Sequence, residues 1–246
     1  MNKKSILTMV GIFLICAVIV SQGDIVAKVF IKNDNIYFQS EKDEIIQLTD
    51  LGRDTEYVLH PNGKWVYFVR TFVGEYIKGV WFPLKGKEPA DGVLKMELWR
   101  IDVTGQNEKM LFRNSTAPIS HPSGYAYASI DNIQISPNGN KIYFETAEWV
   151  TSNALNEMNL DGSSIKMLGM GNETKIILST MDSTDYSGYI VTNQHRYYVF
   201  GPSYDIWWLY DSEWNEIGPL GPDLKSFTGS WDIEYTDGSE EKMFNE

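Results

Sequence analysis

The chain has 246 residues, one cysteine and a formal net charge of −12. An acidic body of this kind excludes a nucleic-acid partner, whose phosphates need a basic surface, and gives no purchase on anionic lipid. A lone cysteine excludes a disulfide framework and a thiolate metal site, and the length suits one domain around one sizeable core.

Residues 1–23 read as a segment apart from the fold. Lys3 and Lys4 precede an apolar run from Ile6 to Val20, broken only by Thr8 and Gly11. The run is short of the roughly 20 residues a membrane span needs and suits the core of a secretory signal. Ser21 and Gly23 offer a small-x-small exit before Asp24; an uncleaved N-terminal anchor over residues 5–21 is the other reading. Either way the lysines favour a cytoplasmic N-terminus and an exported body. Cys16 follows Ile15 rather than a small residue, so lipidation is not expected. Removing residues 1–23 takes away two lysines and no acids, and the charge goes from −12 to −14.

From residue 24 onward the pattern is strand after strand, with no stretch of helical periodicity over three turns. A partial unit spans Val29–Thr49, with Asn35-Ile-Tyr-Phe38 and Glu44–Leu48 as outer strands. Fuller units follow at Leu51–Phe112, Asn132–Met170 and Tyr189–Leu220. The stretch His60-Pro-Asn-Gly-Lys-Trp-Val-Tyr-Phe68 returns as Ser136-Pro-Asn-Gly-Asn-Lys-Ile-Tyr-Phe144. A worn third copy is read at Thr192–Phe200. Proline sets the first corner of each turn, and Asn-Gly accepts positive φ before the next strand. A second cassette follows each first one, at Leu98–Leu111, Leu155–Leu168 and Ile206–Ile217, and each reads as a hairpin with a polar turn. Two hairpins per unit make a four-stranded meander, the blade of a propeller. Residues 231–235 are expected to return to the first unit and close the ring. The tail 237–246 is acidic, with an end expected to be disordered.

The pairing of a Pro-Asn-Gly turn before an aliphatic-Tyr-Phe strand with a polar Asp-Gly hairpin resembles the TolB-like propeller repeat, over roughly residues 30–220. Asn62 and Asn138 stand where that repeat often has aspartate, and His60 where it often has serine. The resemblance implies an all-β chain: a small β-propeller of four-stranded antiparallel blades over residues 24–236, about four to five in number. It covers the propeller only, without the N-terminal domain of TolB, so TolB's own role does not transfer.

Two insertions interrupt the units. Phe72–Lys95 carries Tyr76, Trp81, Phe82, Lys85 and Lys87, an aromatic and basic set suited to anchoring a partner or stacking on sugar. Asn114–Asp131 carries His121. Long loops in a compact fold are usually functional or disordered. No nucleophile elbow, phosphate loop or His-Glu-x-x-His zinc helix is present. His60, His121 and His195 are the candidate metal ligands; turn capping and loop surface are their plainer roles. Asp102, Asp161 and Asp211 lie at hairpin turns, where an aspartate bonds its own turn backbone unless several oxygens converge on calcium. Trp65, Trp99 and one of Trp207 and Trp208 are expected in the core. Asn114-Ser-Thr and Asn172-Glu-Thr fit the N-glycosylation pattern.

These features favour an exported, non-catalytic propeller without cofactor, placed in the cell envelope or secreted. Its expected partner is a protein or an envelope component, reached through one face and the 72–95 insertion. Membrane contact is expected only through residues 5–21. Two alternatives stand beside it: a propeller that binds or degrades polysaccharide through a metal or aromatic site at the channel mouth, and a membrane-anchored sensor.

Overall fold

The computed structural model describes residues 16–17, 27–77, 93–114, 129–147, 152–180, 185–224, 233–236 and 240–241. They form four antiparallel sheets, each a meander in chain order. The first holds β1 (Cys16–Ala17), β2 (Lys28–Lys32), β3 (Asn35–Gln39) and β4 (Ile45–Gln47). The second holds β5 (Asp54–Leu59), β6 (Trp65–Ile77), β7 (Val93–Asp102) and β8 (Lys109–Arg113). The third holds β9 (Asp131–Ile135), β10 (Lys141–Ala147), β11 (Asn153–Asn159) and β12 (Lys166–Met170). The fourth holds β13 (Asn172–Thr180), β14 (Ile190–Tyr197), β15 (Ser203–Tyr210) and β16 (Glu216–Gly221), and continues through β17 (Ile233–Tyr235) and β18 (Glu240–Glu241).

The sheets stack face to face because their middle strands are apolar on both sides. Along β6, Val66 and Phe68 turn toward Val29, Ile36 and Phe38 of the first sheet. The alternate residues Tyr67 and Val69 turn toward Ile135, Ile142 and Phe144 of the third, as the two-residue period of a strand requires. Tyr143 and Leu155 then meet Ile176, Ile190 and Tyr210 of the fourth. The leading strands β5, β9 and β13 lie side by side, β5 touching β9 and β9 touching β13. They form the inner edge of the fan.

Residues 233–235 do not return to the first unit, as the repeat arithmetic had them do. They pair with β13 on its free inner edge, Tyr235 opposite Ile177. Tyr235 and Leu224 cover Ile177, Val191, Trp207 and Leu209 on the far face of the fourth sheet. That face would otherwise stand open, and the buried Tyr235 ring supplies its cover. No strand pairing among the described residues joins the fourth sheet to the first. In the acidic tail, Glu240 and Glu241 pair with β17. The signal or anchor reading of residues 1–23 lies outside the described residues, apart from Cys16 and Ala17, which pair with β2.

The turns repeat more strictly than the sequence. Each hairpin between a sheet's third and fourth strands closes with the same two backbone bonds. They run from Ser40, Asp102, Asn159 and Asp211 N–H to the carbonyl four residues on, and back to their own carbonyls from Asp43, Gly105, Gly162 and Trp214. Those last four residues all have positive φ, from 59° to 89°. The Pro-Asn-Gly turns are equally regular: Gly63 and Gly139 donate to His60 and Ser136. Positive φ there belongs to the glycines alone (67° and 70°), while Asn62 and Asn138 accept from the backbone two residues on.

The worn third copy is in the wrong register. Thr192–Tyr197 lies inside β14, and the true counterpart of the turn is Tyr186–Tyr189, where Gly188 donates to Ile177 and Ile177 to Tyr189. Extra residues between Ile177 and Gly188 hide the repeat. β13 itself, reaching back to Asn172, escaped the unit read from Tyr189. Likewise β6 runs on to Ile77 and β7 begins at Val93, so both ends of the first insertion are strand, with a register shift between Phe72 and Tyr76.

Candidate functional site

A meander places alternate connections at opposite ends of its strands, so every blade offers two kinds of edge. At one end the turns Ser40–Glu44 and His60–Gly63 flank a groove of about 560 Å³. At the same end the His60 ring reaches Gly139 of the third sheet. The opposite end carries the hairpin tips between second and third strands. In the first sheet that tip is the tight pair Asn33-Asp34, both with positive φ. In the others the connections are longer: between Ile77 and Val93, between Ala147 and Asn153, and between Tyr197 and Ser203. The connection from β8 to β9 ends on this face too. These longer connections share one face, while the lengthened β13–β14 turn lies at the opposite end.

The β14–β15 tip is the best defined of them. β14 and β15 pair without a slip from Ile190–Tyr210 to Tyr197–Ser203, and Tyr198 N–H closes the loop on the Pro202 carbonyl. Beyond that rigid ladder Phe200 is 99% exposed and Val199 88%. Tyr197 and Tyr198 stand below them at 71% and 58%. The Tyr198 ring lies on Tyr204, centroids 4.5 Å apart, and Tyr197 meets the edge of His195 at 5.0 Å. His195 Nδ1 is 2.7 Å from Asp205 Oδ1 across the ladder. Beneath them Arg196 covers the Trp208 ring at 3.8 Å and holds Glu216 at 3.2 Å. Four consecutive large apolar or aromatic residues at a protruding turn form an uncovered patch of the kind soluble chains keep for contacts. Sequence reading took Tyr197–Phe200 for strand interior, because an aromatic run looks the same in a strand and at its tip.

His60 and His195 do not converge. His60 is buried at the seam of the second and third sheets. Its Nδ1 accepts from Asn62 N–H, so Nε2 carries the proton and donates to the Gly139 carbonyl at 2.9 Å. A Cβ on Gly139 would come within 2.8 Å of this ring, so the glycine permits the close approach as well as the turn. His195 sits near the tip end of β14 on Asp205, not at the corner His60 occupies, and His121 lies outside the described residues. No group of three or more His, Cys, Asp or Glu side chains suited to a metal occurs among the described residues. Gln194 is engaged by Arg196, Tyr210 and the Met170 carbonyl. Of the five anchoring residues expected in the first insertion, Tyr76 falls in β6 opposite Leu94. Trp81, Phe82, Lys85 and Lys87 lie outside the described residues, as does Trp149. Trp65 and Trp99 pack against the core and Trp207 is buried.

The hairpin aspartates serve their turns. Asp102 accepts from Thr104, Gln106 and Asn107, and these bonds hold its carboxyl below the usual range. Asp211 does the same with Glu213 and Asn215, and Asp161 with Ser163. The two glycosylation-like asparagines are latches. Asn114 is buried, with Oδ1 accepting from Met96 N–H and Nδ2 donating to the Leu94 carbonyl. Asn172 accepts from Asn153 N–H. Each pins the strand that follows the longer connection, and Asn114 is closed to modification in the folded chain.

A polar seam along the inner edge was not legible in sequence. Glu145 accepts from Asn132, Thr174 N–H and Asn153. Gln134 links the Thr174 carbonyl, Ile176 N–H and Thr236. Glu56 of β5 reaches Ile133 N–H of β9 at 3.3 Å. Burial, with the charges of Asp131 and Glu145, pushes its carboxyl up to about 7 against the backbone N–H groups of Ile133 and Asn132. A pKa raised on folding contributes stability that is full below the ordinary value of 4.5 and lost as pH rises through 7. Glu56→Gln is therefore expected to flatten the pH dependence between pH 5 and 8, by about 1–3 kcal/mol. Urea midpoints at the two pH values measure this; an unchanged slope would show that Glu56 is not its source.

No family model matches the chain, and no curated protein sequence matches it. Among solved structures it is similar over 96% of its length to dipeptidyl peptidase 4 of Porphyromonas gingivalis, with a TM-score of 0.53 and 12% identity, and it spans 39% of that chain. It is also similar to TolB from Acinetobacter baumannii (88% of this chain, 50% of that one, TM-score 0.47, 13% identity). A third likeness is to the β-propeller domain of the Trilobed protease from Pyrococcus furiosus (91% and 55%, TM-score 0.41, 15% identity). The chain thus spans less than two thirds of each. The first likeness bears on fold alone, and with the four stacked meanders it identifies an all-β chain of propeller type, built from four-stranded antiparallel blades.

Proposed function

We propose that this is an exported, non-catalytic propeller that recognises a protein or cell-envelope component through the face carrying its longer hairpin connections. The observation behind this reading is the Tyr197–Phe200 tip, an uncovered aromatic turn on a rigid ladder, on the same face as the ends of the long insertions. Rigid blades present loops at little entropic cost, which suits recognition. Acyl transfer and metal-assisted hydrolysis need nucleophile, base or ligands gathered at one point. Among the described residues, His60, His195 and the turn aspartates are each bonded into separate structural roles. Capture from envelope extracts by the full chain, by a variant lacking residues 78–92 and by Phe200→Ser tests this. The expected result is at least a ten-fold loss of captured partner in one or both variants, with unchanged urea midpoints. Equal capture by all three would remove this face from the function.

A further inference from the structure

We infer that the β14–β15 tip is an interfacial wedge that seats on the surface of a zwitterionic lipid bilayer, an inference that rests on the recognition face proposed above. Its side chains are graded along the protrusion. Val199 and Phe200 form the apex, with Pro202 beside them in the same turn. Tyr197, Tyr198 and Tyr204 form a belt below, and Arg196, level with Tyr204, joins His195 and Asp205 one pair further in as a charged collar at the tip end of the ladder. That order matches the bilayer boundary: apolar groups enter the acyl edge, tyrosines sit where one end is dry and the other wet, and charges stay in water. The collar is already paired internally, Arg196 with Glu216 and His195 with Asp205, so nothing in it is arranged to grip a phosphate. The net charge of −12 repels anionic lipid and leaves apolar insertion as the source of affinity. A convex point also needs no matching pocket in what it enters, which a bilayer satisfies and a folded partner does not without one.

The test uses the full chain in a Cys16→Ser background. An environment-sensitive fluorophore is placed at Phe200→Cys, and in a second protein at Glu213→Cys, on the turn at the opposite end of the same sheet. Phosphatidylcholine vesicles with and without spin-labelled lipid are the probe. At position 200 the expected result is a blue shift and at least two-fold stronger quenching by spin-labelled lipid, both insensitive to salt between 0.05 and about 0.5 M. Position 213 is expected to show neither. Both substitutions fall on exposed turn residues, so folding is retained. A label at 200 that stays open to aqueous iodide on vesicle-bound chain would overturn the wedge. So would a label shielded only by envelope protein and not by lipid. In that last case the recognition face would stand while its lipid assignment fell.

Discussion

Arg70→Met is expected to lower the unfolding free energy by about 3–5 kcal/mol, the cost of stranding a buried charge. Arg70 and Asp54 are both buried, and Arg70 Nε lies 2.9 Å from Asp54 Oδ1. The guanidinium also reaches Glu108 at 2.9 Å and stacks near Trp99 and Phe68, at 4.9 and 5.2 Å. Two strands and the β7–β8 turn therefore meet on one cation. Asp54 Oδ2 has no hydrogen-bond partner, so the carboxylate leans almost wholly on Arg70. Methionine keeps much of the stem volume and removes the charge. Adding Asp54→Asn to the same chain is expected to restore at least about 1 kcal/mol, because the unpaired ion is then gone. Urea unfolding of the three proteins measures both effects. A loss below about 1 kcal/mol in the single variant would mean that the pair is solvated and contributes little.

Gly162→Ala is expected to cost about 2–4 kcal/mol, against about 1 kcal/mol for Gly63→Ala. Both glycines have positive φ, 89° and 67°, so both substitutions carry the left-handed penalty. They differ in surroundings. A Cβ at Gly162 would stand 2.4 Å from the Leu111 carbonyl oxygen of the preceding sheet, a backbone atom with no freedom to move aside. At Gly63 nothing lies within 4 Å. The turn between the third blade's third and fourth strands therefore rests on its neighbour's outer strand, and there only a glycine fits. The last blade solves the same problem in reverse. Trp214 takes the turn position with φ 68°, and Gly169 on the preceding sheet makes room for its ring, where a Cβ would meet the indole at 2.2 Å. Urea midpoints at constant m-value separate the two glycine variants; equal losses would refute the seam contact.

The blades were legible because their hairpins are local. Leu98–Leu111, Leu155–Leu168 and Ile206–Ile217 each place two strands and a polar turn within one short stretch, and each is a hairpin in the structure. What failed was long-range or interrupted. The extra residues before Gly188 broke the third turn's spacing and shifted its register. β13 begins with Asn172-Glu-Thr, polar residues that read as loop but serve as latch and seam. β17 was legible as a strand, but its partner depended on which apolar face stood uncovered, and that is a property of the assembled stack. The candidate site followed the same rule. The 72–95 insertion marks its face in the sequence, whereas the exposed tip lies in a stretch whose aromatic, β-branched residues signal strand. Exposure at a turn depends on where the ladder ends, which the Tyr197–Ser203 pair decides.

Site-specific photo-crosslinking in envelope membranes tests most directly whether recognition belongs to the face of the β14–β15 tip. The photoreactive side chain is placed at Tyr198 on that face, and separately at Ser163 and Glu213 on the turns of the opposite one. The prediction is discrete adducts, to protein or to lipid, from position 198 and none from 163 or 213. Adducts from 163 or 213 with none from 198 would contradict it, and would move the site to the end of the blades that holds the groove between Ser40–Glu44 and His60–Gly63.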